Sequence, residues 1–450
     1  MKDEEGMKVF KRTGDNETNT TDGLTGTMNT LNRPYQGFLM WLCAATFYGF
    51  QFLIRVSPNV MTHQLMAAFD VQACALGVMV SFYYWGYSLM QIPAGLLLDN
   101  IGPRRPLVAA CLLCFFGCVI FGMGSNIYVL ATGRILMGIG SAFGFLTTVR
   151  IVSTWFGTER LGLFVGLTLM VGTFGAISGS SPLGALLTLT SWRNCMLILA
   201  AFSAILSIAA WKVIRDDDPH GERTKKNYFS LTYVLLSMIE ILKNPQTWIY
   251  ALYGFLMYVP LSGFADLWAT PFMEQQFKVD YTTASGGVFS FYVGMSIGAP
   301  LWPFFSTWIQ SHKKALIISA LLTAFFITIA FYQNNLTFFQ SCLLLGITGA
   351  CSGGQFLAFS GVANINSRDR AATASGMHNM ICMFSGNLMQ PLLGKLLQMN
   401  WSERGGTFLA GAPDYNLEDF RFALGIIPIA LVMAAFVTFL VKETFPQKSS

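Results

Sequence analysis

The 450-residue chain is too poor in charged residues for a soluble protein of its length. Charged residues make up 11% of the sequence and hydrophobic residues 53%, including 39 Phe. Soluble domains carry about 25% charged residues, so this chain lacks the polar surface that water requires and is expected to lie in a lipid bilayer. Its net charge of +5 comes from Lys and Arg scattered between apolar runs, a distribution that excludes the basic face of a nucleic-acid-binding protein.

The first 34 residues form a polar segment rich in Thr, Asn, Asp and Glu. They hold no apolar core of the kind that a signal peptide needs. We therefore expect residues 1–34 to be a disordered cytoplasmic tail, and the apolar run that begins near Gln36 to remain in the mature protein.

Twelve runs of about 20 mostly apolar residues, the length that crosses a bilayer, follow along the chain. The first six lie near residues 36–58, 73–97, 106–124, 127–149, 161–186 and 193–213. The second six lie near residues 247–269, 282–308, 314–332, 336–362, 371–397 and 420–441. The predicted fold is an all-α, multi-pass membrane protein with twelve transmembrane helices.

The orientation follows from Lys and Arg, which concentrate in the cytoplasmic loops of membrane proteins. Most of the 28 basic residues fall on the side of the amino-terminal tail, so both termini are predicted to be cytoplasmic. The charged stretch 214–245 separates the two sets of six spans, and Ser230–Lys243 has the apolar spacing of a helix on the membrane surface. The expected divisions are bundles at 35–213 and 246–442, a cytoplasmic linker at 214–245 and a cytoplasmic tail at 443–450.

The nine cysteines lie in or beside apolar runs rather than at the spacings of a disulfide framework. Cys111, Cys114 and Cys118 share one face of a predicted helix, which allows either a metal site or small packing residues. No His or acidic residue lies near them in the sequence. The packing interpretation is favoured, and no metal or other cofactor is predicted.

The two halves repeat at an interval of about 210 residues along the sequence. Duplicated halves are typical of transporters whose site lies between them, and neither a receptor nor a membrane enzyme requires them. The matching pairs are Gly138 with Gly346, Glu159 with Asp369, Gly166 with Gly376, and Pro182 with Pro391.

The loop between the second and third spans carries a glycine, an acid, a second glycine and two bases at Gly95, Asp99, Gly102, Arg104 and Arg105. This spacing in a short cytoplasmic loop resembles the signature of the major facilitator superfamily. We expect Gly95 to let the second span approach a neighbouring helix closely, and Gly102 to allow a tight turn. Asp99 and the two arginines would form a latch that closes in one conformation and opens in the other. A basic loop that merely sets orientation is the alternative.

The resemblance to this superfamily extends over nearly the whole chain beyond residue 34. It implies two pseudo-symmetric six-helix bundles around a central cavity and transport by alternating access. The segment Gly133–Gly140, which opens the fourth span, resembles a second motif of the superfamily, whose arginine is linked to proton coupling. Arg134 is therefore a coupling candidate, and a structural arginine within the helix is the alternative.

Two further charges lie inside predicted spans, Arg55 late in the first and Asp266 late in the seventh. They are separated by nearly the repeat interval, and the fold implied by the resemblance sets these two spans face to face across the cavity. Charges within spans are costly and usually functional. Arg55 and Asp266 are expected to bind the carboxylate and amine of a zwitterion, to pair as an outer gate, or to form a structural ion pair. Asp266 is also a coupling candidate.

Several polar or aromatic residues in the spans could complete a binding site, although each taken alone is more often a packing residue. His378 could titrate near neutral pH, but a lone transmembrane histidine is usually hydrogen-bonded within the core. The candidates are Tyr48, Gln51, Tyr84, Tyr258, Tyr292, Gln355, His378 and Asn379.

The segment from Tyr48 to Met61 is similar to major facilitator transporters of intracellular bacteria such as Legionella and Coxiella, including phagosomal nutrient transporters. This narrower resemblance implies import of amino acids or nucleosides and a place in the bacterial inner membrane.

No Gly-x-x-x-x-Gly-Lys-Ser/Thr loop occurs, so pumping driven by ATP hydrolysis in this chain is disfavoured, and no cluster of catalytic groups indicates an enzyme. The predicted function is a secondary active transporter, monomeric and coupled to a proton or another ion, that imports a small polar metabolite, an amino acid first. One alternative is efflux of a drug or siderophore. Another is import of an organic anion, sugar phosphate or nucleoside.

Overall fold

The computed structural model describes residues 21–157, 160–216, 231–367, 370–443 and 445. Within these ranges the chain is almost entirely helical. Two short strands, β1 (Phe408–Leu409) and β2 (Ala412–Pro413), pair antiparallel as a hairpin near its end.

The helices of the amino-terminal half follow the predicted apolar runs, and some spans consist of two helices joined at a break. In chain order they are α1 (Thr21–Val56), a 3-10 turn (Ser57–Val60), α2 (Thr62–Phe69), α3 (Ala73–Ile101), α4 (Arg104–Met123), α5 (Ile127–Ser141), α6 (Phe143–Trp155), α7 (Leu161–Ser178), α8 (Ser181–Leu189) and α9 (Trp192–Val213).

The carboxy-terminal half begins with a short helix before its first span. Its helices are α10 (Leu231–Lys243), α11 (Pro245–Val259), a π-helical turn (Pro260–Trp268), α12 (Ala269–Phe277), α13 (Tyr281–Trp308), α14 (His312–Tyr332), α15 (Phe338–Ser352), α16 (Gln355–Ile365), α17 (Ala371–Glu403), α18 (Leu417–Leu424) and α19 (Ile426–Thr438).

These helices make up twelve transmembrane segments in two pseudo-symmetric bundles of six, as the sequence predicts. In the described ranges, ten helical stretches are long and apolar enough to cross a membrane, and the pair α2–α3, bent by 114°, counts as an eleventh. The remaining span is α17, whose 33 residues include polar side chains such as His378 and Asn387. The duplication is visible in the breaks of equivalent spans, at Ala142 in the fourth and at Gly353 in the tenth.

The two bundles meet extensively along α3 and α17. Gly77 of α3 lies against the backbone of Gln390, and Gly394 of α17 lies against the backbone of Ala73. A Cβ atom at either glycine would overlap with these backbone atoms, so the missing side chains let the two helices approach closely. The polar side chains His378 and Asn387 are buried within the protein, which accounts for the lower hydropathy of α17.

The structure departs from the predicted divisions at the amino terminus. α1 begins at Thr21, so residues 21–34, expected to be disordered, are helical, whereas residues 1–20 lie outside the described ranges. Composition alone misses this extension because adding residues to an existing helix avoids the cost of nucleation. In the linker, the helix expected at Ser230–Lys243 is present as α10, and residues 217–230 lie outside the described ranges.

Candidate functional site

The charges Arg55 and Asp266 lie against each other at the interface between the bundles. Arg55 is in the last turn of α1, and Asp266 lies in the π-helical turn of the seventh span. Arg55 Nε is 3.1 Å from Asp266 Oδ2, and the two side chains are 5% and 0% exposed. Single π-helical turns inside longer helices occur frequently at functional sites. An irregular stretch of helix therefore positions Asp266 beside Arg55.

Three tyrosine hydroxyls surround this ion pair. Tyr84 of α3 donates to Asp266 Oδ2, and Tyr292 of α13 donates to Asp266 Oδ1 at 2.8 Å. Tyr258 of α11 accepts a hydrogen bond from Arg55 Nη1 at 3.3 Å. The three tyrosines are among the candidates predicted from the sequence, and all are buried. Each oxygen of the Asp266 carboxylate therefore has a donor.

Arg55 retains unused hydrogen-bonding capacity in this buried place. Among the described residues its Nη2 has no partner, and its Nε, although close to Oδ2, is not aligned for a hydrogen bond. The guanidinium carbon lies 4.2 Å from the ring centroid of Phe52, which covers one face of the group. One helical turn earlier, Gln51 Oε1 is also buried without a partner. Because buried polar atoms normally have partners, Arg55 Nη2 and Gln51 Oε1 are available to a ligand.

Arg134 holds the end of α1 in place. Its Nη1 donates to the carbonyl of Ile54 at 2.7 Å, and its Nη2 donates to the carbonyl of Arg55 at 3.1 Å. A third bond runs from Nε to the carbonyl of Val80 at 3.4 Å. The last carbonyls of a helix have no partner within the helix, and a cation at this end also complements the helix dipole. Arg134, 0% exposed, therefore positions the backbone that carries Arg55.

One end of the interface is closed by hydrogen bonds between the bundles; we call it the sealed end. Asn59, in the 3-10 turn after α1, donates to the carbonyl of Ala265 at 3.0 Å and accepts from the backbone of Thr270 at 3.1 Å. The amide of Ala73 donates to the hydroxyl of Tyr415, beside the β-hairpin, at 3.0 Å. These contacts join the amino-terminal and carboxy-terminal bundles at this end.

The opposite end, which we call the loop end, is less closely packed around the spans that meet there. A Cβ atom at Gly95, Gly166 or Gly376 would have no heavy atom within 4 Å. The predicted close approach at Gly95 is therefore wrong for this conformation. The side of α3 at Gly95 is therefore open, whereas its side at Gly77 packs on the backbone of Gln390.

The predicted latch residues occupy this loop end. Asp99 and Arg150 form an ion pair at 3.7 Å, with side chains 43% and 40% exposed. Gly102 has φ +80°, a conformation that residues with a side chain rarely adopt, which is why glycine is required there. Arg104 donates from its backbone to Asp216 at 2.9 Å and from Nε to the carbonyl of Trp211 at 3.0 Å. Arg105 is exposed.

The other candidates lie apart from the ion pair. His378 packs inside the carboxy-terminal bundle, with its ring 4.6 Å from Phe359 and its Nε2 3.4 Å from Cys382. Gln355 contacts the sulfur of Met295 at 3.7 Å. Asn379 is half-buried on α17 and interacts with Tyr87 of the other bundle.

Tyr48 and Gln51 line the amino-terminal side of the interface. The ring of Tyr48 packs on Phe52 and Phe145, at centroid distances of 5.0 and 5.7 Å. The backbone carbonyl of Gln51 accepts a hydrogen bond from the hydroxyl of Tyr83 at 3.2 Å. The side chain of Gln51 lies beside Gly144. Both residues belong to the same helix as Arg55: Gln51 lies one turn before it, and Tyr48 two turns.

Sequence reasoning missed two residues, Asn59 and Asp216. Asn59 bridges the bundles at the sealed end, and Asp216 caps α4, whose amino terminus follows the Gly102 turn. For Asn59, the available signal in the sequence was an asparagine next to a proline at the end of a span. For Asp216, it was a run of acidic residues directly after the sixth span.

The cysteine cluster is a packing feature of the amino-terminal bundle. Cys111, Cys114 and Cys118 are buried free thiols, and Cys114 Sγ contacts the carbonyl of Met137 at 3.6 Å. Across the described ranges, no group of three or more His, Cys, Asp or Glu residues is arranged to hold a metal ion.

Comparison with known proteins agrees with this architecture. The sequence profile of the Major Facilitator Superfamily matches residues 40–391. The chain belongs to this superfamily. It is a membrane transporter and not a member of an enzyme family.

Individual relatives are distant but nearly full-length. The chain is 22% identical over 405 residues to an uncharacterised transporter, YybO, of Bacillus subtilis, covering 85% of this chain and 92% of that protein. It is 22% identical over 369 residues to the hexuronate transporter of Escherichia coli, covering 77% and 84%. A bacterial homologue of the human lysosomal transporter Spinster, solved inward-facing and unoccupied, matches with a TM-score of 0.72 at 16% identity, covering 92% and 98% of the two chains.

Proposed function

We propose that this transporter carries a small organic anion whose carboxylate binds Arg55, by alternating access coupled to a proton. The observation that supports the substrate class is the unpartnered Nη2 of Arg55, buried between the bundles. Leaving such a donor unsatisfied costs about 1–3 kcal/mol, and a substrate carboxylate removes that cost. A planar guanidinium also matches a carboxylate in two-point geometry.

Charge balance connects the anion to a proton. The ion pair of Arg55 and Asp266 is neutral, so adding an anion would leave a net negative charge in a membrane interior, which is costly. In our proposal the substrate carboxylate replaces Asp266 as the partner of Arg55, and the released Asp266 takes up a proton. One proton then accompanies each negative charge, and the site is neutral before and after binding.

Relatives with named substrates support an anion. The hexuronate transporter of Escherichia coli and a probable sulfoacetate transporter of Cupriavidus necator have substrates that are anions at neutral pH. At 22% and 24% identity, these names suggest the substrate class and no specific molecule.

An amino acid, the substrate predicted first from the sequence, is the second candidate. It is favoured by the carboxylate of Asp266, which could bind an ammonium group while Arg55 binds the carboxylate. However, both oxygens of Asp266 already have donors from Tyr84 and Tyr292. An ammonium group would have to displace at least one of them, whereas an anion meets a donor that is already free.

The remaining assignments of the proposal come from the distribution of charge. We propose that both termini and the loop end lie in the cytoplasm, because Lys and Arg concentrate on that side. The membrane is proposed to be the bacterial inner membrane, as the resemblance of the segment from Tyr48 to Met61 implies. The sealed end then faces outward. The bundles are taken as residues 35–213 and 246–442, joined by the linker 214–245, and the working unit is one monomer that imports its substrate.

The experiment is uptake into proteoliposomes with and without an inward proton gradient. The panel is D-glucuronate as the anion, D-glucose as its neutral analogue, L-alanine and L-valine as zwitterions, and uridine. We expect saturable glucuronate uptake that the gradient accelerates, and no uptake of glucose. Arg193→Lys, an arginine that packs on Trp192 away from the site, serves as the control for Arg55→Lys. Uptake of the amino acids without any anion uptake would exclude the proposed substrate class.

Asp266→Asn separates the two candidates. Asparagine imitates the protonated carboxyl group, so for an anion we expect exchange across the membrane to persist while gradient-driven accumulation is lost. For a zwitterion, exchange is lost as well because the ammonium group has no partner. Gradient-driven glucuronate accumulation by Asp266→Asn would contradict the coupling role.

A further inference from the structure

We infer that Glu274 is a second proton-binding site, which forms when the sealed end closes and makes closure of that end favourable at acidic pH. Glu274 lies on α12, at the far end of the span that carries Asp266. If the orientation proposed above holds, the outer solution supplies the proton. The site itself depends on neither the substrate nor the direction of transport.

Glu274 has a buried carboxylate oxygen without a partner. The Glu274 side chain is half-buried, and its Oε2 is buried with no hydrogen-bond partner among the described residues. The hydroxyl of Tyr281, at the start of α13, is likewise buried and unpartnered there, and the two groups interact electrostatically. An ionised carboxylate in this place has lost water at one of its oxygens without gaining a donor there, which is costly. A protonated carboxyl group avoids this cost and can donate a hydrogen bond itself.

The charged neighbours of Glu274 do not compensate a negative charge. Asp280, which interacts with it, carries the same charge. The nearby cation, Lys278, donates a hydrogen bond from its Nζ to Gln275 Oε1 at 2.7 Å. Cys195 of α9 interacts electrostatically with Tyr281. The 3-10 turn that packs on α12 contains no ionisable side chain.

Two further elements packed on α12, the π-helical turn and α18, hold charges that already have partners. α14 and α15 also contact α12, at Phe331 and Phe338; the charged side chains of α14 lie at its opposite end, in His312–Lys314, and α15 has none. Asp266, in the π-helical turn, pairs with Arg55. On α18, Asp419 pairs with Arg404 at 2.7 Å, and Arg421 donates to Asn334 at 2.7 Å; Glu418 begins the same helix. Asp266 and Glu274 therefore differ in kind: the first has a cation and two hydroxyl donors, and the second has none of these.

Closure of the sealed end creates this environment. The 3-10 turn of the amino-terminal bundle packs against α12. Tyr281 packs against the other bundle, with ring carbons 3.6 and 3.7 Å from where a Cβ of Gly184 would lie. Opening the sealed end separates these surfaces and returns Glu274 to water, where a glutamate ionises near pH 4.3. A group that is protonated when closed and ionised when open takes up a proton on closure, so acid favours the closed state.

The test measures the conformation of purified, substrate-free protein in detergent. Nitroxide labels on Tyr128→Cys and Asn335→Cys, exposed positions on the two bundles, in a chain without other cysteines, report the width of the sealed end by electron–electron distance measurement. Between about pH 8 and pH 5 we expect the ratio of closed to open molecules to rise, at most tenfold per pH unit for one linked proton.

Glu274→Gln, which imitates the protonated group, should hold the closed state at every pH and abolish the slope, and Glu274→Asp should retain it. Asp280→Asn, which neutralises the neighbouring acid, should retain the slope. His63→Gln should retain it too, although His63 of α2 also interacts across the interface, with Asp414. A slope unchanged in Glu274→Gln, or no slope in the unmodified chain, would overturn the inference. Failure of the proposed substrate to be transported leaves this measurement unaffected.

Discussion

Arg55 and Asp266, 3.1 Å apart and almost fully buried, join the two bundles at the point where the first span meets the seventh. Removing either partner leaves an uncompensated charge, which in buried pairs typically costs about 3–5 kcal/mol. The two charges therefore need each other while this end is sealed. In our proposal a ligand that takes Arg55 away from Asp266 weakens that contact, so binding and conformational change are linked through the same two residues.

The hydroxyls on Asp266 should support coupled transport. Tyr84→Phe or Tyr292→Phe removes one donor that holds the carboxylate beside Arg55, and a hydrogen bond to a charged group is worth about 1.5–3 kcal/mol. Gradient-driven accumulation of glucuronate should therefore fall by about tenfold or more, since tenfold corresponds to about 1.4 kcal/mol. Tyr253→Phe, a buried tyrosine bonded to the carbonyl of Leu316, should leave accumulation unchanged. Normal accumulation in both Tyr84→Phe and Tyr292→Phe would contradict a role for these hydroxyls in coupling.

Arg134 should behave as a positioning residue and not as a proton carrier. Arg134→Gln leaves the carbonyls of Ile54 and Arg55 without these donors, at about 1–3 kcal/mol for each unsatisfied group. We expect a lower melting temperature and a parallel decrease in substrate exchange and gradient-driven accumulation. Loss of accumulation with exchange intact would assign Arg134 to coupling, the role implied by the family resemblance.

Gly95 should matter in the conformation opposite to the one described. Since nothing lies within 4 Å of a Cβ at this position, Gly95→Leu should leave the melting temperature nearly unchanged. If the bundles close over α3 during transport, the added side chain blocks that step and turnover falls by about tenfold or more, a barrier increase of about 1.4 kcal/mol. Leu97→Phe, on an exposed position of the same helix, is the control. Normal turnover in Gly95→Leu would show that the loop end does not close at this level.

Tyr415 should help to keep the sealed end shut. Tyr415→Phe removes the acceptor of the Ala73 amide, at about 1 kcal/mol, so the open population should increase roughly fivefold. Cys74, beside the contact of Ala73 with Gly394, should then react faster with a water-soluble maleimide at fixed pH. Tyr253→Phe again controls for loss of a tyrosine hydroxyl. An unchanged rate at Cys74 would mean that the hairpin does not contribute to the seal.

Much of the fold was predictable because membrane burial imposes a simple rule on sequence. The cost of polar groups in lipid produces the twelve apolar runs, and the same cost makes Arg55 and Asp266 conspicuous within them. α17 could be found in the sequence but not confirmed by hydropathy, since its buried polar side chains contact protein, such as Ser385 and Gln390 on Ser262. The helix at residues 21–34 could not be found from composition because it continues a span.

The details of the site depend on geometry that the sequence does not record. That Arg134 contacts backbone carbonyls is invisible in a motif, because a carbonyl has no sequence signature. That Arg55 approaches Asp266 through Nε, with Nη2 unpartnered among the described residues, depends on side-chain geometry. The space beside Gly95 depends on which conformation the bundles adopt, and one sequence encodes both.

The most direct test of our account is the binding of D-glucuronate and D-glucose to the purified protein by titration calorimetry. We expect glucuronate to bind and glucose not to bind. Arg55→Lys keeps the charge but loses the planar fork, so glucuronate affinity should fall by about 10- to 100-fold, corresponding to about 1.5–3 kcal/mol, while Arg193→Lys binds normally. Equal binding of the neutral sugar, or unchanged affinity in Arg55→Lys, would contradict the account.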